Sequence, residues 1–349
     1  MPINILRLFG LGFDGLQVPE GIRELLARGL GGAILFKRNL ESLEQICRLT
    51  ADLRTAAAAP LLIGLDQEGG RVTRLPAPFL APPSAAALGR LGDPEFTKEV
   101  ARAVGRELLA VGINWNLAPV LDIHTNPANP VIGDRAYGND PALVTRMGLA
   151  ALGGLAEAGV LATAKHFPGH GDTTVDSHLT LPESSQSASR WRNVEFVPFR
   201  AAIEADVPSI MVAHLNCPAL DAHAPTSLSR VVLTEILRNE LGFQGAVVSD
   251  DMEMGAIASN FDIGEAAVRF IEAGGDSILL CRNATLQRAA IAAVQSAVRL
   301  KRISEARILE SERRINLARE RVGEGNPADV DSVRQMMAAN QELLRRFGR

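Results

Sequence analysis

Three of the chain's six histidines, His166, His170 and His178, fall in one stretch from Lys165 to Pro182, interleaved with Asp172 and Asp176. The stretch follows an apolar run, Gly159 to Ala164. An apolar run of strand length that empties into Gly, Pro, His and Asp reads as a buried strand whose exit loop carries polar side chains into a site. Its Gly and Pro content predicts a hinged loop. Asp176 and His178 are two residues apart, so in extended backbone they point the same way. A carboxylate beside an imidazole fixes the tautomer and stabilises the imidazolium, so the ring can give and retrieve a proton near neutral pH.

Such a pair supplies the acid/base half of a two-step displacement. The nucleophile must come from elsewhere, and Asp250, after the apolar segment Gly245 to Val248, is the candidate. A carboxylate nucleophile with a separate proton donor is the retaining glycosidase arrangement, with histidine here replacing the usual second carboxyl. Each feature also has a plainer reading. Asp-x-His occurs in ordinary turns, Asp250-Asp251 ahead of a helix can serve as capping, and Gly69-Gly70 can simply make a tight turn. The rival chemistry is a metal site built from His166, His170, Asp172, Asp176 and His178. Pro168 and Gly169 break any helix that would align the first two, and no metal is assigned.

The elements that must position these residues alternate. Strand-like segments are expected over Ile5 to Phe13, Gly31 to Phe36, Leu61 to Leu65, Ile113 to Ile123, Gly159 to Ala164, Ser209 to Ala213, Gly245 to Val248 and Asp276 to Leu280. Between them, stretches such as Pro94 to Gly112, Pro141 to Ala158, Arg190 to Ala205, Ser229 to Leu241 and Ala284 to Val298 carry helical periodicity. Continuous rather than alternating hydrophobicity suits a parallel sheet buried on both faces. Eight such units predict an α/β fold, a (β/α)8 TIM-type barrel, with functional residues at strand ends. Asp66, Asp122, Lys165, His166, His214 and Asp250 all follow predicted strands. A doubly wound open sheet is the competing architecture. The barrel is expected to span residues 1–322 as one catalytic domain, with 323–349 a linker and a C-terminal helical extension, Val330 to Phe347.

Composition bounds the partner. A formal net charge of -4 with 22% charged residues gives no basic footprint for nucleic acid or an anionic membrane. No run reaches the roughly 18 apolar residues of a membrane span. Cys47, Cys217 and Cys281 are far apart and in no paired spacing, which fits a reducing compartment. The N-terminus lacks a basic head and long apolar core. A cytoplasmic protein acting on a small molecule, as monomer or homodimer, is expected.

The wording of the motifs is also informative. Lys165-His-Phe-Pro-Gly-His-Gly-Asp172, Asp176-Ser-His178 with Leu181-Pro182, Asp66-Gln-Glu-Gly-Gly-Arg-Val-Thr-Arg74, Gly133-Asp-Arg135 and Ser249-Asp250-Asp251 together resemble family 3 glycoside hydrolases, over about Phe9 to Ala318. More narrowly, they resemble the single-domain β-N-acetylglucosaminidases of peptidoglycan recycling. The resemblance implies a proton donor and acceptor at His178, its partner at Asp176, the nucleophile at Asp250, and sugar contacts from Asp66, Arg74, Arg135, Lys165 and His166. It implies release of terminal β-linked N-acetylglucosamine from muropeptides, with neither metal nor organic cofactor. Asp251-Met-Glu-Met-Gly255 departs from the commonest family wording. Other family branches leave a phosphorylase or a β-glucosidase as alternatives, and a sugar-binding barrel without turnover is the non-enzymatic one.

Overall fold

The computed structural model describes residues 3–177, 179–323, 325 and 327–347. Eight parallel strands close in chain order: β1 (Phe9–Gly12), β2 (Gly32–Ile34), β3 (Leu62–Leu65), β4 (Trp115–Asn116), β5 (Leu161–Phe167), β6 (Ser209–Val212), β7 (Ala246–Asp251) and β8 (Ser277–Leu280). Phe9 opposite Ile278 shuts the ring. The expected (β/α)8 barrel is therefore the fold. Except for Asp250 and Asp251, every strand residue is buried. That is why the strands read as unbroken apolar runs.

The surrounding helices start where the sequence supplies caps: α1 (Glu20–Ala27), α2 (Leu43–Ala56), α3 (Ala85–Leu91), α4 (Pro94–Ala110), α5 (Pro141–Glu157), α6 (Ala188–Arg190), α7 (Phe196–Glu204), α8 (Gly255–Ala258), α9 (Ile263–Ala273), α10 (Ala284–Arg299) and α11 (Glu305–Glu320). Asp93 and Asp140 each accept from the first-turn backbone with proline at the first helical position. A π turn, Trp191–Glu195, joins α6 to α7, and a π helix, Val231–Glu240, stands between β6 and β7.

Three expectations need correcting. Ile5 to Leu8 forms a 3-10 turn capped by Asn4, and only Phe9 to Gly12 is strand. Ile5, Leu6 and Leu8 are buried either way, so hydrophobicity alone does not separate the two. The strand expected over Ile113 to Ile123 is two residues long. Pro119 has no N–H to extend a ladder, and beyond Asn116 the contact with β5 is an irregular one in which Lys165 N donates to the Pro119 carbonyl at 3.1 Å and Leu121 N to the Lys165 carbonyl at 2.6 Å. Asn114 Oδ1 accepts from Ile63 N at 2.8 Å and Asn116 Oδ1 from Gln67 N at 3.0 Å. Finally, β5 runs past Ala164, so Lys165 and His166 are strand residues rather than loop residues.

Inside the barrel, Trp115 donates through Nε1 to Thr163 Oγ1 at 2.7 Å, and Thr163 meets Ser209. Gly64 makes room for that indole, since a Cβ there would lie 2.9 Å from the Trp115 ring. At the opposite end from the site, buried Asp276 gathers Arg238 at 2.6 Å, Arg307 at 2.9 Å and Ser311 at 2.8 Å, which ties α11 to the barrel base.

The C-terminal helix α12 (Val330–Phe347) lies along α4. Val333 and Met337 enter the core, and Asn340 donates to buried Glu107 at 2.9 Å. Removing residues 330–349 should cost about 3–6 kcal/mol from those two apolar side chains alone. The expected result is a melting temperature lower by several degrees in calorimetry; an unchanged transition would mean that α12 contributes no stability.

Candidate functional site

The site is built at the carboxyl ends of the strands. Asp66 follows β3, Lys165 and His166 end β5, and Asp250 lies at the end of β7. Arg74 arrives on the loop after β3 and Arg135 on the 3-10 turn Gly133–Arg135. All six line one pocket of about 240 Å³ together with Phe36, Glu68, His170, Ser177, Met254 and Cys281. Roughly 300–1,000 Å³ is usual for drug-sized ligands, so this space suits one ring rather than a chain.

Glu68 organises the cationic wall, a role its place in the Asp66-Gln-Glu motif signals only in retrospect. Its Oε2 accepts from Arg135 Nε and its Oε1 from Arg135 Nη2, both at 2.8 Å, while Lys165 Nζ lies 2.6 Å from Oε1. Lys165 also donates to Asp66 Oδ1 at 2.6 Å, and Arg74 reaches Asp66 Oδ2 at 3.4 Å. Burial disfavours a charged Lys165, but Asp66 and Glu68 outweigh it and raise its pKa. Burial likewise works against the Glu68 carboxylate, yet Lys165 and Arg135 hold its pKa well below the usual range.

The turn that carries Arg74 is set by glycines. Gly69 and Gly70 have φ of +102° and +55°, conformations L side chains rarely adopt. Gln67 then braces the returning chain, its Oε1 accepting from Arg74 N at 2.8 Å. The tight turn anticipated for Gly69-Gly70 is present.

Asp122 fixes the histidines. Its Oδ2 lies 2.6 Å from His166 Nδ1, and its Oδ1 accepts from His170 N at 2.6 Å. His166 Nε2 meets Arg135 Nη2 at 3.3 Å. Arginine has no acceptor, so that contact is a hydrogen bond only when Nε2 is bare, which puts the ring proton on Nδ1 facing Asp122. His170 is deeply buried, which pushes its pKa down to about 4 despite Asp122.

The two adjacent aspartates separate in role. For Asp250, burial favours the acid, but His166, His214 and Lys165 overcome it and lower the pKa. Its Oδ1 accepts from Asp251 N at 2.8 Å. Asp251 is pushed up to about 7, first by burial and then by Glu253 and Asp250. Its Oδ1 accepts from Glu253 N at 3.0 Å and Cys281 N at 3.2 Å, so it holds the strand ends together. His214 braces the same turn, with Nε2 3.2 Å from the Asp251 carbonyl and Nδ1 2.7 Å from Ser227 Oγ.

Asp176 sits half-buried on the loop after β5, its carbonyl accepting from Leu179 N and Thr180 N. It is next to Ser177, which does line the pocket. His178 lies outside the described residues. Among the described residues, no group of three or more His, Cys, Asp or Glu is arranged to hold a metal ion, and no helix is long and apolar enough to cross a membrane.

A (β/α)8 barrel whose strand ends bring an ionised carboxylate and a braced set of cations to a ring-sized pocket is built as a carbohydrate-active enzyme. Residues 12–318 match the glycosyl hydrolase family 3 N terminal domain. The chain belongs to that family and is a glycoside hydrolase.

Among similar proteins, a beta-hexosaminidase A from Pseudoalteromonas piscicida is 40% identical over 75% of this chain, which spans 48% of that protein's length. A beta-hexosaminidase from Thiobacillus denitrificans is also 40% identical, with 79% of this chain and 78% of the relative covered. Of solved structures, a family 3 beta-N-acetylglucosaminidase from Paenibacillus sp. str. FPU-7 superposes with a TM-score of 0.90 at 42% identity, over 97% of this chain and 68% of that one. Native NagZ from Neisseria gonorrhoeae does so at 0.82 and 31%, over 97% of each chain.

Two outcomes are expected. Glu68→Gln removes the charge shared by Lys165 and Arg135, so kcat/KM on a glycoside substrate should fall about 10–100-fold, the cost of a misplaced positioning group; a loss below twofold would remove Glu68 from that role. Asp251 carries a raised pKa in the folded state, so it takes up a proton on folding, and its contribution to stability is present near pH 4 and lost as pH rises through about 7. Asp251→Asn keeps the acceptor, so the stability of the variant relative to wild type should grow from pH 4 to pH 7 and then level off in denaturant titrations; a constant difference across that window would contradict it.

Proposed function

We propose that the protein is a retaining exo-β-N-acetylglucosaminidase that removes a non-reducing terminal β-linked N-acetylglucosamine, in the cytoplasm, from muropeptides derived from peptidoglycan. The single observation that carries the chemistry is Asp250: a carboxylate held in its ionised form at the end of β7, lining a pocket of about 240 Å³ beside Lys165, His166 and Arg135. The naming of similar proteins as beta-hexosaminidases and beta-N-acetylglucosaminidases supports the choice of sugar. The size of the pocket supports exo cleavage, one ring at a time.

In this reading Asp66 accepts hydrogen bonds from ring hydroxyls, and Arg74, Arg135, Lys165 and His166 donate or orient. Asp250 attacks the anomeric carbon and the glycosidic C–O bond breaks. The proton reaches the departing oxygen from His178, which Asp176 orients. Water then adds to the glycosyl-enzyme, giving its proton back to His178 and freeing Asp250 with the original β configuration. The lowered pKa suits the attack, since the attacking group must be a carboxylate.

Asp250→Ala should abolish release of nitrophenol from p-nitrophenyl N-acetyl-β-glucosaminide, a loss of about four orders of magnitude or more when the covalent path is removed. Unchanged turnover would reject the assignment, and a first-formed α anomer in proton NMR with the wild type would reject retention. The same assay with the β-glucoside and with added phosphate separates the hydrolase from the glucosidase and phosphorylase branches.

A further inference from the structure

Of the described residues between Thr174 and Thr180, Ser177 alone is buried. Its neighbours Val175 and Leu179 are 40% and 72% exposed, while Ser177 is 2% exposed. A segment that faces solvent on either side of one buried hydroxyl is anchored at that hydroxyl. The anchor has two attachments. Ser177 Oγ lies 3.0 Å from His170 Nε2, and the Ser177 carbonyl accepts from Ala256 N at 3.1 Å.

Each attachment leads to a different part of the site. His170 is itself clamped, with Nδ1 2.8 Å from Thr173 Oγ1 and its backbone N donating to Asp122 Oδ1 at 2.6 Å. Asp122 in turn holds His166 in the sugar pocket. A continuous line of hydrogen bonds therefore runs from His166 through Asp122 and His170 to Ser177. Ala256 belongs to α8, which begins five residues after Asp250, so the second attachment ties the same residue to the exit of the nucleophile's strand. His170 stays neutral near neutral pH because burial lowers its pKa to about 4, and a neutral ring serves Ser177 in either tautomer, as acceptor or donor.

We infer that Ser177 is a positioning residue for proton transfer: its hydroxyl on His170 and its carbonyl on Ala256 anchor the loop at the residue next to Asp176. This rests on the acid/base reading of that loop given above. Ser177 touches the loop and the barrel, and acts on the reaction through its two neighbours in sequence.

Proton donation matters most when the leaving group is poor, which gives a readout that general damage would not move. The full chain is assayed on phenyl and on 2,4-dinitrophenyl N-acetyl-β-glucosaminide. Ser177→Ala should cost about 10–100-fold in kcat/KM on the phenyl glycoside, within the range of acid catalysis, and no more than about threefold in kcat/KM on the dinitrophenyl glycoside, whose departure needs little help. Ser177→Thr, which keeps the hydroxyl, should recover the wild-type ratio between the two substrates. Equal losses on both, no loss on either, or a threonine variant that matches alanine would each overturn the role. Should the wild type cleave neither glycoside, the functional proposal falls and takes this inference with it; wild-type cleavage with an unaltered ratio in Ser177→Ala defeats the inference alone.

Discussion

The arrangement at the mouth of the barrel depends on one buried ionic contact, the carboxylate of Glu68 shared between Lys165 and Arg135. Two cations facing the same small space repel each other and resist burial, and the shared carboxylate offsets both effects. Pairs of this kind are poor sources of stability, because desolvation consumes much of the attraction. Their value is orientation. One edge of the guanidinium is occupied by Glu68, its other N–H groups meet the Val131 carbonyl and His166, and the lysine is caught between Glu68 and Asp66.

Stability comes from the closed barrel beneath. β1 to β8 bury both faces, and the end away from the site is secured by Asp276 with Arg238, Arg307 and Ser311. On the β3 side, asparagine side chains add to the backbone pairing, Asn114 to Ile63 and Asn116 to Gln67. The ring therefore stays closed at the point where Asp122 must leave the wall to reach His166 and His170. A short β4 is what permits that carboxylate to sit inside rather than in line.

Much of this was legible in the sequence because the physics is local. Unbroken apolar runs mark strands buried on both faces, caps such as Asp93-Pro94 and Asp140-Pro141 mark helix starts, and functional types gather after the runs. What was not legible depends on contacts distant in the chain. Lys165 and His166 look like loop residues by polarity, and only their partners Asp66, Glu68 and Asp122 let a strand carry them inside the barrel. Glu68 is unmarked in the sequence because a carboxylate one residue past a buried glutamine gives no sign that it will meet Arg135. Ile5 to Leu8 carries no mark of its turn, since an apolar 3-10 turn and an apolar strand have the same pattern.

The extension of β5 through His166 has a further consequence. Lys165 and His166 ride on the rigid wall, whereas Arg74, Arg135 and Asp176 ride on connections. Strand-borne recognition costs little ordering entropy on binding and tolerates little change; a surface connection tolerates much. The two can diverge independently. On the proposed function, change in the segment after Gly171 that spares Asp176, Ser177 and His178 leaves the strand-borne Lys165 and His166 in place.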